Sequence, residues 1–453
     1  MTNKWEGHMS QINYKLLQSI IDIQHRLFEV QNHEITANYP TYEEVKSAIF
    51  NNKIDFNTKT HFVLKQQSKK RFGYMYNKNS IEYIVCLYLK KRIDKEFNIK
   101  FPNRNKIIRL LFDTLTLLKN MQDFTIYKFD FKNFFNSISS TYVNQIYLLE
   151  STLSRAEKHV ITQYCNIFKY TFSGLSLSNT LCELVARDFD SILKQKLKDF
   201  GIMFYQRYID DCLIVSNTNI DQSTLEQLIN EVITNVFYKN NILEKCKVKL
   251  NPNKCTYISK RNLSQSKQLK FLGYQVNFEE SHKKTKLTYG ITDEKINKYQ
   301  KKLNTLIADN TKNNLSNEIL RQKIKLFCHR TIYLSTHKNE IIWKNKGIIA
   351  NYKELQYHLS ELIPTTEKFL KDAVKDAFTN NGMQQPYYLK SNNNSYTLLH
   401  TLQKKKSMIF VEYVGYDLHT LRKLAKKVGI LDADELSYNQ ILARYLITLK
   451  VGF

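Results

Sequence analysis

Three aspartates stand at spacings that allow metal-dependent chemistry. Asp210 and Asp211 sit between two short apolar, β-prone runs, Phe204-Tyr205-Gln206-Arg207-Tyr208-Ile209 and Cys212-Leu213-Ile214-Val215. A tight hairpin presents two carboxylates at its tip from such a pattern. Taken alone, an Asp-Asp pair is an ordinary solvated turn, because Asp is a common turn residue. A third carboxylate, Asp130, lies upstream in Phe129-Asp130-Phe131-Lys132-Asn133-Phe134-Phe135. Brought together, three such groups can hold two Mg²⁺ ions, since hard cations take oxygen ligands. Two ions held this way clamp the attacking and leaving oxygens of an in-line phosphoryl displacement.

The elements around these residues must do the positioning. Residues 124–131 alternate as a strand, with Tyr127, Phe129 and Phe131 on one face and Ile126, Lys128 and Asp130 on the other. The aromatic face is expected to pack on helices while Asp130 looks into a cleft. A charge there needs a partner, which a metal would supply. Upstream, residues 1 to about 60 read mainly as helices. The basic cluster Lys69-Lys70-Arg71 then leads into an aromatic strand, Phe72-Gly73-Tyr74-Met75-Tyr76. Such a cluster is either a solvated turn or a site for a triphosphate, whose charge Arg neutralises bidentately. Helices are expected at 80–93 and 106–118, the second apolar nearly all round and so buried. Further helices are expected after a Ser140 or Thr141 cap, at 155–168, and at 180–198 after the small-residue turn Ser173-Gly174-Leu175-Ser176-Leu177-Ser178. A helix over 224–237 precedes a strand broken by a turn at 248–255 and a short strand at 269–276. From Thr292 the pattern reads as helical for most of the remainder. A linker at 391–395 precedes the basic run at 404–406 and a pair of short helices, 418–427 and 438–449.

Composition narrows the classes of function. Lys and Arg total 68 against 42 acidic residues, a net charge of +26 over 453 residues. That excess favours a polyanionic partner, nucleic acid first. The 29 Tyr and 26 Phe add flat surfaces, and the scarcity of Gly (11) and Pro (5) argues for a compact chain. Seven scattered cysteines without a Cys-x-x-Cys pair argue against a zinc ribbon or a disulfide framework. Reduced thiols and the lack of a long apolar segment imply a cytoplasmic protein without membrane contact.

In chain order these blocks resemble the palm of a reverse transcriptase. Asp130 with Phe135 resembles the first block, Gly174 with Ser178 the second, and Tyr208-Ile209-Asp210-Asp211 the third. Asn251-Pro252-Asn253-Lys254 resembles the fourth block, and Phe271-Leu272-Gly273-Tyr274 the primer-grip hairpin. The resemblance implies an α+β right-hand polymerase: fingers, a palm with an antiparallel sheet, a helical thumb, and a helical C-terminal region. The expected divisions are 1–125 for N-terminal helices and fingers, and 126–285 for the palm, with finger helices inserted near 140–170. A thumb-like region follows at 290–385, then a small basic region at 395–453.

It also implies roles. Asp130, Asp210 and Asp211, with Phe131 beside them, would hold two Mg²⁺ ions, with Mn²⁺ as a substitute. Lys254 would serve the leaving pyrophosphate, and Lys69, Lys70 and Arg71 the triphosphate. Phe131, Phe135, Gly174, Ser178 and Tyr208 would line the nucleotide, with Phe135 setting the choice of sugar. RNA as template, DNA as product and dNTPs are the implied partners. A lone polymerase core with a helical tail is similar to the bacterial abortive-infection and defence-associated reverse transcriptases. That branch implies antiphage defence, a noncoding RNA, and homo-oligomers or a partner defence protein. Template-independent or protein-primed synthesis at the same site, and a non-catalytic RNA-binding scaffold, are the alternatives.

Overall fold

A computed structural model describes residues 12–32, 39–66, 69–238, 248–282, 284–313, 315–337, 340–386, 389, 397–405 and 407–449. The linker at 391–395, Lys406 and Cys246 lie outside these residues, as do the side chains of Lys69, Lys70 and Arg71. The chain divides into two compact units, Met1–Pro102 with Gln122–Lys260, and Asn103–Met121 with Arg261–Phe453.

The first unit is built on an antiparallel sheet. Its strands are β3 (Thr125–Lys132), β4 (Ile202–Tyr208), β5 (Asp211–Ser216), β6 (Lys249–Leu250) and β7 (Thr256–Ser259); a separate hairpin joins β1 (Thr60–Gln66) to β2 (Lys69–Met75). The order is β4-β5-β3-β6, and β7 also pairs with β3. β3 is therefore central, and every residue in it except Lys132 is buried. Its aromatic face does pack on helices, as the alternation predicts. The Phe131 ring lies 5.0 Å from Phe189 of helix Ser176–Lys196, 6.2 Å from Phe237 and 5.3 Å from Phe134. Close approach of the β1–β2 hairpin depends on glycine. A Cβ at Gly174 (φ +99°) would sit 2.4 Å from the Tyr74 carbonyl, and one at Gly73 would sit 2.7 Å from the Ser173 carbonyl. The Tyr74 amide donates to the Ser173 carbonyl at 3.1 Å across that contact.

The second unit contains the antiparallel meander β8 (Lys267–Phe271), β9 (Tyr274–Ser281) and β10 (Lys284–Ile291). Helix Arg104–Leu117 packs on it through Phe112, whose ring lies 5.4 Å from Tyr274 and 4.8 Å from Tyr289. Only one face of that helix is buried, formed by Ile107, Ile108, Leu111, Phe112 and Leu115. Leu110 and Leu117 are exposed, which corrects the expectation of an all-round buried helix. The region after Thr292 is also less helical than its pattern suggested. It holds a three-stranded sheet of β11 (Arg330–His337), β12 (Glu340–Lys346) and β13 (Ser407–Phe410), with β13 parallel to β11. Short apolar runs do not reveal by periodicity whether they are strand or buried helix. β11 pairs with β12 as a local antiparallel hairpin, but its other partner, β13, is distant in sequence, with Arg330 set against Ser407. A small core of Leu326, Met408, Phe410, Leu421, Ile441 and Tyr445 closes this part of the unit.

Candidate active site

The register of the central strands sets two of the carboxylates opposite each other, with the third on the adjoining turn. Asp130 and Asp211 are cross-strand partners on β3 and β5, and Tyr208 pairs with Asp211 to leave a two-residue turn, Ile209-Asp210. The Phe131 amide donates to the Asp210 carbonyl at 3.3 Å, tying the turn to β3. Ile209 has φ +63°, a conformation that β-branched residues avoid. Residues held this way persist only where their surroundings over-determine them.

Arg207 supplies that constraint. Its side chain is almost fully buried below the turn, and Nη1 donates to the Ile209 carbonyl at 3.1 Å. The rest of the guanidinium grips two carboxylates of helix Ser176–Lys196. It reaches Glu183 at 3.1 and 2.7 Å, and Asp190 at 3.0, 3.1 and 2.9 Å. Tyr205 adds a 2.6 Å hydrogen bond to Asp190. Burial alone would lower the guanidinium pKa, but the hydrogen bonds it donates to Glu183 and the charge of Asp190 hold it above its ordinary value. The sequence reading missed this residue. The available signal was a charged residue on the Tyr205 face of a β-prone run, opposite two acids seven residues apart on one helix face.

Lysines neutralise the outer carboxylates. Lys254 Nζ stands 2.8 Å from Asp130 Oδ2, and Asn251 Nδ2 donates to Oδ1 at 3.1 Å. The Asn251 amide also donates to the Asp130 carbonyl at 2.9 Å, so the 251–254 turn is docked directly on β3. Lys128, two residues before Asp130 and on the same face, lies 3.2 Å from Asp211 Oδ1. Among the described residues no three carboxylate, imidazole or thiol groups stand together as a ready cage for an ion. The donor set nevertheless fits a hard cation, being made of carboxylate oxygens alone. Burial first, and then the charges of Asp130 and Asp211, push the Asp210 pKa above the usual carboxylate value. Excess negative potential of this kind is what a cation relieves.

The other sequence-derived residues fall in several places. Phe134 is core, whereas the adjacent Phe135 is half-buried, 5.9 Å away in an edge-to-face contact. The Phe131 ring is buried in the aromatic cluster, which leaves only its main chain for any ligand. Tyr208 is half-buried beside Asp211. Gly174 meets β2 and the ring of Phe62. Ser178 is fully buried, 3.2 Å from the Tyr164 hydroxyl and accepting from the Phe172 amide at 3.1 Å, so it has no surface to offer a nucleotide. Lys69, Lys70 and Arg71 lie on β2 of the same unit.

Phe271, Leu272, Gly273 and Tyr274 belong to the second unit. Phe271 and Tyr274 are buried, and only the turn Leu272-Gly273, with φ +48° and +82°, reaches the surface. Here too an arginine holds the carbonyl of a left-handed aliphatic residue. Arg104 donates to the Leu272 carbonyl from Nε at 3.1 Å and Nη2 at 2.6 Å, and its guanidinium lies 5.0 and 5.4 Å from the rings of Tyr274 and Tyr352.

The sequence model described as reverse transcriptase (RNA-dependent DNA polymerase) matches residues 4–276, more than half of the chain. The chain belongs to the reverse transcriptase family. The match takes in both turns held by arginine and all three aspartates, and the mixed helical and antiparallel fold is that of this family of nucleotidyltransferases. A search of curated proteins gives no match. Among solved structures the chain is similar to one described as apo telomerase from Candida Tropicalis truncated from C-terminal domain. The identity there is 13% and the TM-score 0.34, over 52% of this chain and 59% of that one. No described helix is long and apolar enough to cross a membrane.

Proposed function

We propose that this reverse transcriptase copies RNA into DNA at Asp130, Asp210 and Asp211. The observation that carries the reading is the register pairing of Asp130 with Asp211, with Asp210 on the adjoining turn at a raised pKa. Divalent ions bound there, Mg²⁺ or Mn²⁺, would supply charge neutralisation at the attacking and leaving oxygens. The chain's own groups do the rest. Lys254, half exposed and paired with Asp130, is free on its solvent side to exchange a carboxylate for a pyrophosphate oxygen. Lys128 orients and balances Asp211. The half-buried ring of Phe135 offers a 2′-hydroxyl no hydrogen-bond partner, which favours deoxynucleotides. Lys69, Lys70 and Arg71 are assigned to the triphosphate. Tyr208, Gly174 and the Phe131 main chain are assigned to the walls of the nucleotide site, and Leu272-Gly273 to the primer strand. Ser178 supports the Gly174 loop from beneath.

We place the activity in antiphage defence in the cytoplasm, with a noncoding RNA as template, by resemblance to the defence-associated branch. The test is incubation of purified protein with each dNTP, with and without RNA, in Mg²⁺ or Mn²⁺. RNA-dependent incorporation that is lost in both Asp210→Asn and Asp211→Asn is expected. Incorporation that ignores the RNA would make the enzyme a terminal transferase. Retention of more than trace synthesis by both variants would remove the site assignment.

A further inference from the structure

We infer that the second unit carries a site for single-stranded nucleic acid centred on Tyr357. Three elements far apart in sequence meet there. Arg109 comes from helix Arg104–Leu117, Tyr357 ends the turn Lys353–Tyr357, and Lys405 follows helix Leu398–Gln403. The Arg109 guanidinium lies 5.9 Å from the Tyr357 ring centroid and the Lys405 ammonium 5.8 Å. The ring is 58% exposed, whereas Tyr274, Tyr289 and Tyr352 of the same unit are buried.

Charge separates this cluster from ordinary surface lysines. Lys119 pairs with Glu361 at 2.5 Å and Lys353 with Glu354 at 3.4 Å. Arg109 and Lys405 are exposed and, among the described residues, form no ion pair, even with Asp113 one helical turn beyond Arg109. Lys106 and Lys404 add exposed positive charge beside them. An exposed aromatic ring with unneutralised cations over it can stack an unpaired base as those cations turn to the neighbouring phosphates. A duplex keeps its bases stacked inside, so a lone ring selects single strands. The chain's +26 charge is of the sign such a ligand requires.

The test needs no nucleotide and no synthesis, so it stands whether or not the polymerase reading does. Fluorescein-labelled oligo-U and oligo-dT are titrated with full-length protein across a salt series. Tyr357→Ala should weaken binding of one or both oligonucleotides about tenfold, and Tyr357→Phe should restore it. Arg109→Gln with Lys405→Gln should reduce the magnitude of the log–log salt slope by about 1.4, at roughly 0.7 per phosphate contact. A larger effect on oligo-U than on oligo-dT would assign the site to RNA, and the reverse to DNA. All the substituted side chains are exposed, and unchanged melting of each variant certifies its fold. Unchanged affinity and slope in both variants would overturn the proposal. So would unchanged oligonucleotide binding together with loss of a protein partner.

Discussion

Replacing Arg207 by Met should release the turn that carries Asp210. The guanidinium side chain is 3% exposed, while its partners Glu183 and Asp190 are 13% and 21% exposed. Breaking a buried pair by removing one partner costs about 3–5 kcal/mol, because the remaining charge is left uncompensated. Both carboxylates here can draw some water, so the lower end, about 3 kcal/mol, applies. Loss of the charged hydrogen bond to the Ile209 carbonyl adds about 1.5 kcal/mol. The sum of roughly 4–5 kcal/mol is a large part of the stability of an ordinary domain. The assay is denaturant unfolding followed by hydrogen-exchange protection of the β4 and β5 amides, which isolates this sheet from the second unit. A second variant, Arg207→Met with Glu183→Gln and Asp190→Asn, removes all three charges together and should recover most of the stability. It should not recover synthesis, because the Ile209 carbonyl remains unclamped. Loss of less than about 1 kcal/mol in the single variant would refute the argument from uncompensated charge. Full activity in the triple variant would show that the clamp on Ile209 is dispensable.

Asp210→Asn should raise the melting temperature of the metal-free protein at neutral pH while abolishing synthesis. A carboxyl whose pKa is raised by folding contributes stability below its unfolded value, and that contribution is lost as pH climbs through the folded value. The advantage of the amide should therefore shrink as pH falls, and added Mg²⁺ or Mn²⁺ should stabilise the wild type more than the variant. Phe135→Ala or Phe135→Val should increase rNTP incorporation relative to dNTP by at least roughly tenfold, equivalent to about 1.4 kcal/mol. Unchanged selectivity in an active variant would move the sugar gate elsewhere. Gly174→Ala should destabilise the first unit by more than about 1 kcal/mol, because its Cβ would meet the Tyr74 carbonyl on a left-handed backbone. A melting temperature equal to wild type would refute that packing argument.

The placement of the three aspartates was legible because it is written in local patterns. Alternation in β3 put Asp130 on one face, and two β-prone runs around Asp210-Asp211 announced a hairpin. What escaped was long-range polar partnership. Arg207 reads as an ordinary strand residue until Glu183 and Asp190 are brought to it, and Lys128 reads as a cleft-facing charge until Asp211 is set beside it. The expectation that a metal must balance Asp130 overlooked Lys254 and Asn251, which balance it from the next strand connection. Ser178 shows the opposite case, a buried hydroxyl with protein partners. Its spacing from Gly174 suggests a ligand contact, yet a hydroxyl in the first turn of a helix readily satisfies nearby buried groups instead. The pairing of β11 with β13 was missed because it is nonlocal, and the β11–β12 hairpin because its two runs, RTIYLSTH and EIIWKNK, do not alternate polar with apolar residues.

Helix Arg104–Leu117 is made before β3 but belongs to the unit that is completed later. The ribosome completes it before it begins β3, while the strands that cover Phe112 start about 150 residues further on. At roughly 5–20 residues per second, the apolar face of Ile107, Ile108, Leu111, Phe112 and Leu115 waits on the order of ten to thirty seconds for its partners. The nascent chain thus passes through a period in which one unit can fold around a helix that must stay uncommitted. Chaperone demand should peak during translation of residues 122–260, and moving the 103–121 segment to a permuted position after residue 260 should shorten that period. The same connectivity means that severing the chain between Lys260 and Arg261 yields one fragment with a stranded helix and another lacking the arginine that holds its own hairpin turn.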